Sequence, residues 1–113
     1  MALFKIYIDR EGLYRFLLKL NTRDIIFISL GFKTHQLCLK SLEVFKLNAT
    51  KDTSYQYKKT KFGRPYYNFK LVNTSHIIGV SELFLNTSFM HKQIALIKKN
   101  VKNAAIDACI YST

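Results

Sequence analysis

KFGRPYYNFKLVNTSHIIG, Lys61–Gly79, restates EGLYRFLLKLNTRDIIF, Glu11–Phe27, in altered form. Setting Gly12 on Gly63 aligns the two stretches at an offset of 51, and Lys19-Leu20 then falls on Lys70-Leu71. Val72 is one extra residue in the second copy, and past it the match resumes. Asn21-Thr22 meets Asn73-Thr74, Ile25-Ile26 meets Ile77-Ile78, Ser29 meets Ser81 and Phe32 meets Phe84. The register holds through Lys40 with Lys92, Lys46 with Lys98 and Asn48 with Asn100. An internal repeat decides the fold before any single element does, and one insertion at a turn is the mark of divergent duplication.

Each copy is written in the same periods. Phe4, Ile6 and Ile8 alternate with Lys5, Tyr7 and Asp9, which predicts a strand. Glu11-Gly12 and Gly63 mark turns. Tyr14, Phe16, Leu18 and Leu20 alternate with Arg15, Leu17 and Lys19, and Pro65, Tyr67, Phe69 and Leu71 with Tyr66, Asn68 and Lys70. Pro65 has no backbone donor, so it belongs at a strand start or an edge. Ile25 to Ser29 and Ile77 to Ser81 predict third strands. The period then becomes helical. Cys38, Leu42, Phe45 and Ala49 share one helix face, and Met90, Ile94, Ile97 and Val101 repeat it. Thr34 and Asn86 stand where N-caps belong. A β-rich tail follows each helix: Ser54 to Tyr57, running into the second copy, and Ile106 to Tyr111.

The reading is therefore α+β: one domain, residues 1–113, of two tandem β-β-β-α-β repeats, the first about 3–52 and the second about 53–111. A unit of about 50 residues is marginal for burying a core alone. Two units paired about a pseudo-two-fold axis place a C2-like dimer on one chain, so a monomer with an internal pseudo-dimer is expected.

FKIYIDREGLYRFLLKLNTRDII, the step Ser29-Leu30-Gly31-Phe32 and the helix end Lys46-Leu47-Asn48-Ala49 resemble the YegP-like family, a bacterial domain of unknown function often found as a tandem pair. KFGRPYYNFKLVNTSHIIGVSE resembles that family's second-repeat signature, and the likeness runs from Leu3 to Tyr111. The resemblance implies two β3-α-β units sharing one mostly antiparallel sheet, with exchanged C-terminal strands and two helices packed on it. It implies no activity. The chain departs from the family where Asn21-Thr22 and Asn73-Thr74 replace the usual Asn-Gly, because Thr is poorly suited to the positive φ of a tight type I′ turn. Ser41 and Gln93 also replace a helix glycine.

Charge is the strongest compositional signal. Eighteen Lys and Arg face seven Asp and Glu, a net charge of +11. Such a field attracts polyanions, although lysines dispersed on an ordinary surface give the same count. Hydrophobic residues make up 49%, too many for a disordered chain. Lys5, Asp9 and Arg10 break the N-terminal apolar pattern, and no 18-residue apolar run exists, so neither a signal peptide nor a membrane span is expected and the cytoplasm is the default. Cys38 and Cys109 read as reduced, partly buried thiols, with a disulfide between them as the alternative.

No nucleophile elbow, phosphate loop or paired-carboxylate motif is written in the chain. His35-x-x-Cys38 supplies two ligands where zinc needs three or four. His35 and His91 read as solvated helix residues and His76 as a turn residue. The expectation is a small non-enzymatic interaction module with no catalytic residue, no cofactor and no metal. The alternative is nucleic-acid or polyanion binding through basic and aromatic residues interleaved from Tyr55 to Tyr67. Lysine and arginine contact phosphates, and tyrosine stacks on unpaired bases. The candidate polyanion site is Lys58, Lys59, Lys61, Arg64, Tyr66 and Lys70. A partner would be a protein or a nucleic acid.

Overall fold

The fold was analysed in a computed structural model, which describes residues 2–21, 24–71 and 76–112, without the side chains of residues 108, 109 and 112. The turn residues Thr22, Asn73 and Thr74, the inserted Val72 and the Cys109 thiol lie outside that description.

The chain runs β1 (Leu3–Ile8), β2 (Tyr14–Lys19), β3 (Ile25–Ile28), α1 (His35–Asn48), a short turn of 3-10 helix (Asp52–Ser54), β4 (Tyr55–Lys59), β5 (Pro65–Lys70), β6 (Ile77–Val80), α2 (Thr87–Asn100) and β7 (Ala105–Ser112). The first hairpin turns at Gly12 (φ 81°) and the second at Gly63 (φ 83°), a backbone conformation glycine adopts without strain. In the first turn the Asp9 carboxylate accepts from the amides of Glu11 and Leu13. In the second, Thr60 Oγ1 accepts from the Arg64 amide. Thr34 caps α1 by accepting from the Leu37 amide at 3.1 Å, and Asn86 caps α2 by accepting from Phe89 at 3.0 Å. Both caps stand where the helical period begins.

Strands order as β3-β2-β1-β7 in one sheet and β4-β5-β6 in the other. All neighbours are antiparallel except β7, which lies parallel on β1. One tail crosses over. The strand after α1 is β4, which pairs with β5 of the second unit, and the strand after α2 returns to β1 of the first. The last turns of the helices hold the strands that follow. Lys46 Nζ donates to the Ala104 carbonyl ahead of β7 at 3.1 Å, and Lys98 pairs with Asp52 ahead of β4.

The expected single sheet is interrupted where β3 meets β6. Among the described residues, only an isolated bridge, Ser29 to Gly79, and the bond from the Leu30 amide to the Ile78 carbonyl (2.7 Å) cross that seam. Each strand is four residues long, and its pairing to β2 or β5 shifts register beside Leu18 or Phe69. Such irregularities bend a strand and limit further pairing. Gly79 is the aligned counterpart of Phe27, and the two positions meet at the seam. A Cβ at Gly79 would stand 2.5 Å from Phe27 Cζ. The aromatic ring of one unit occupies the room left by the glycine of the other.

Around that seam lies one shared core. Phe45 of α1 stacks on Phe27 (4.2 Å between ring centroids) and packs on Phe69 of the second unit (4.6 Å). Phe4 and Phe16 close the cluster from β1 and β2. The helix faces read from the sequence are the buried ones: Cys38, Leu42, Phe45 and Ala49 in one unit, Met90, Ile94, Ile97 and Val101 in the other.

Candidate functional site

Ser29 and Ser81 show how the second unit is shaped locally. Ser29 Oγ accepts from the Phe16 amide at 2.9 Å and donates to the Leu30 carbonyl at 2.8 Å. Ser81 Oγ does the same for Tyr67 and Glu82, at the same distances. The Ser81 amide also donates to the Tyr67 carbonyl at 2.9 Å. Tyr67 therefore turns both backbone polar groups toward Ser81 and away from β4. Its partner Tyr57 must then aim its own N–H and C=O out of the sheet, since antiparallel pairs alternate between bonded and non-bonded kinds. Lys59 follows the same rule, because it faces Pro65, which has no donor and whose carbonyl accepts from Phe84 at 2.9 Å.

That outer side of β4 carries no strand among the described residues. The contrast with β1 is direct. Ile6 is covered by β7 and has 0% exposure. Tyr57, its aligned counterpart, is 51% exposed, with the ring edge-on to His91 at 5.4 Å. Half of an aromatic surface on the core side of the strand is left in water, where no described strand covers it.

The six sequence-selected residues do not form a single cluster. Lys58 faces Tyr66 across β4 and β5, and Lys70 lies on the same face of β5, four residues or about 13 Å along it. Lys59 projects to the opposite face. Lys58, Lys59 and Lys61 are exposed, while Tyr66 and Lys70 are half-buried. The exposed Arg64 guanidinium donates to the carbonyls of Phe84 (2.8 Å) and Leu83 (3.2 Å). It latches the loop before α2 to the hairpin with two of its five donors. Phe62 and Tyr57 lie outside the candidate polyanion site. Phe62 is 89% exposed at the hairpin tip. The signal for Tyr57 was present in its alignment with Ile6.

A second concavity, of about 550 Å³, lies along the seam and is lined by Arg15, Ile28, Leu30, Val80, Glu82 and Gln93. Its polar groups are already engaged. Arg15 bonds the Asp9 carboxylate at 2.7 Å and the Ser29 carbonyl at 3.2 Å, and Gln93 donates to Glu82 at 3.1 Å. The cleft offers mainly apolar wall.

Titratable groups are shifted by the needs of folding. Burial pushes the Cys38 thiol, a free and fully buried cysteine, up to about 11, so it stays protonated at neutral pH. Burial also raises Tyr55 and Tyr67. The bond from Arg15, aided by the amides of Leu13 and Glu11, holds Asp9 below the usual carboxylate range. His35 differs from the sequence reading: it is half-buried, its ring lies 5.8 Å from Tyr14, and its Nε2 is buried without a partner. The ring packs because α1 begins directly over β2. His76 and His91 are exposed. Among the described residues, no three His, Cys, Asp or Glu side chains gather as metal ligands would. No helix is long and apolar enough to cross a membrane.

The architecture is that of a small α+β domain in which two β-β-β-α units share a core and the last strand, β7, returns to the first unit. The UPF0339 protein in the ptx operon 5′ region of Stutzerimonas stutzeri is 34% identical over 105 residues, covering 93% of this chain and 90% of that one. A UPF0339 protein of Acinetobacter baylyi is 28% identical over 97 residues, 86% of each chain. The chain belongs to the UPF0339, or YegP-like, family. A UPF0339 protein of Methanosarcina acetivorans is 39% identical over 49 residues, which are 43% of this chain but 84% of that one. That match is about one unit long. No family model matches the chain. Two solution structures share the fold. YegP from E. coli, a protein of unknown function, has a TM-score of 0.86 at 22% identity and covers 98% of this chain and 93% of its own. A UPF0339 protein from Shewanella oneidensis has a TM-score of 0.80 at 21% identity, with 98% and 90% covered.

Proposed function

We propose that the chain is a small non-catalytic interaction module that binds a protein partner along the outer side of β4. The observation that carries this reading is Tyr57, half exposed where Ile6 is fully buried. An uncovered strand edge with an apolar side chain beside it is a ready template for strand addition. The test is a photo-reactive phenylalanine analogue placed at Tyr57 or, as control, at Leu47, which is 75% exposed on α1. Protein adducts from position 57 and not from position 47 are expected after irradiation in cells. Equal adducts at both positions, or none at 57, would overturn the reading.

A second reading, polyanion binding, is favoured by Lys58, Tyr66 and Lys70 on one face of β4 and β5 and by exposed Phe62 beside Lys61. It expects affinity for a labelled single-stranded oligonucleotide that falls steeply as salt rises. A flat salt response would reject it.

A further inference from the structure

β1 shows what β4 lacks. In the first unit β7 lies parallel on β1, setting Asp107 opposite Lys5 and Ile110 opposite Ile6. We propose that β4 accepts an extended acidic segment of another protein as a parallel strand, with an apolar residue over Tyr57 and carboxylates against Lys58 and Lys59. This rests on the interaction-module reading and names the partner's chemistry.

Three observations converge on it. The backbone donors and acceptors of Tyr57 and Lys59 point to the open side, as the commitments of Tyr67 and Pro65 elsewhere require, and meet no strand there among the described residues. Tyr57 offers an apolar seat at the level where Ile6 receives β7. Lys58 and Lys59 are exposed on alternate faces of the strand, so an incoming strand meets positive charge on both sides. Lysines on an edge also deter pairing with another basic edge. With a net charge of +11, a second copy is repelled by the same field that draws an acidic segment. A nucleic acid satisfies the lysines but has no peptide groups for the open ladder.

The probe is a labelled eight-residue peptide of seven Glu and one central Ile, followed by fluorescence anisotropy. Its twin carries N-methyl groups on alternate backbone amides and has the same charge. The unmodified peptide is expected to bind, and N-methylation on the edge-facing register to weaken it at least tenfold. Lys58→Glu with Lys59→Glu, at exposed positions whose fold is checked by circular dichroism, should also cost at least tenfold. A spin label on the peptide N-terminus should broaden signals near Tyr55, the start of β4. Equal affinity for both peptides would reduce the effect to charge attraction and overturn the proposal, as would broadening near Lys59 or cross-linked homodimers through β4. No binding at millimolar peptide would overturn it too. Adducts from position 57 would then still support the module, so the two failures are separable.

Discussion

Replacing Gly79 by alanine tests the seam where the two units meet. The added Cβ would stand 2.5 Å from Phe27 Cζ and 3.0 Å from the Ile28 carbonyl oxygen, against roughly 3.5–4.0 Å for relaxed carbon contacts. One of the two must move. The Phe27 ring cannot easily retreat, because it is stacked on Phe45 at 4.2 Å and bounded by Phe16 at 5.9 Å and Phe69 at 5.8 Å. Overpacking of this kind costs about 1–3 kcal/mol, and the confinement of the ring puts Gly79→Ala near the upper end. For a domain of this size that is a fall in Tm of about 10 °C. Urea unfolding followed by circular dichroism, at constant m-value, gives the free energy directly. Phe27→Leu removes the ring tip that the new methyl meets. The double variant should therefore be less unstable than the sum of the two singles by about 1 kcal/mol or more. A loss below about 0.5 kcal/mol for Gly79→Ala, or strict additivity with Phe27→Leu, would refute the claim that these two positions interlock.

Four further outcomes are expected. Phe45→Ala should cost about 3–5 kcal/mol, and because Phe45 touches Phe27 and Phe69 unfolding should stay a single transition; two separated transitions would mean two independent cores. Tyr67→Phe should be neutral or slightly stabilising in the same assay, since the Tyr67 hydroxyl is buried without a partner and the first unit has Phe16 there. Tyr55→Phe should instead cost about 1 kcal/mol, because that hydroxyl donates to the Ala49 carbonyl at 2.6 Å. Asp9 has a folded pKa below its unfolded one, so its contribution is fully present above about pH 4 and is lost as pH falls through the folded value. Asp9→Asn should flatten that part of the acid limb of a stability-against-pH curve, and an unchanged limb would contradict the role given to Arg15.

The local writing of the chain was legible because it depends on neighbours in sequence. The periods of Phe4 to Ile8 and Cys38 to Ala49 name the buried sides of β1 and α1, and Gly12 and Gly63 mark the turns that need positive φ. Pro65 falls at the first residue of β5, where a missing donor does no harm. What stayed hidden depends on partners far along the chain. Nothing near Gly79 announces the Phe27 ring. Arg64 reads as a free cation until the carbonyls of Leu83 and Phe84 fold back on it. Tyr57 reads as an ordinary strand residue, because local pattern does not say which of two equivalent strands receives β7. The alignment of Tyr57 with Ile6 held that information, but only the pairing of β7 with β1 makes it visible.

Amide hydrogen exchange in the free protein tests the open edge most directly. Ile6 and Ile8, whose strand is covered by β7, should exchange slowly. Tyr57 and Lys59, facing outward from β4, should exchange orders of magnitude faster than Ile6 under the same conditions, while Gln56 and Lys58, bonded toward β5, stay protected. Protection of Tyr57 and Lys59 equal to that of Ile6 would mean the edge is already closed, and the account of β4 as the binding strand would be wrong.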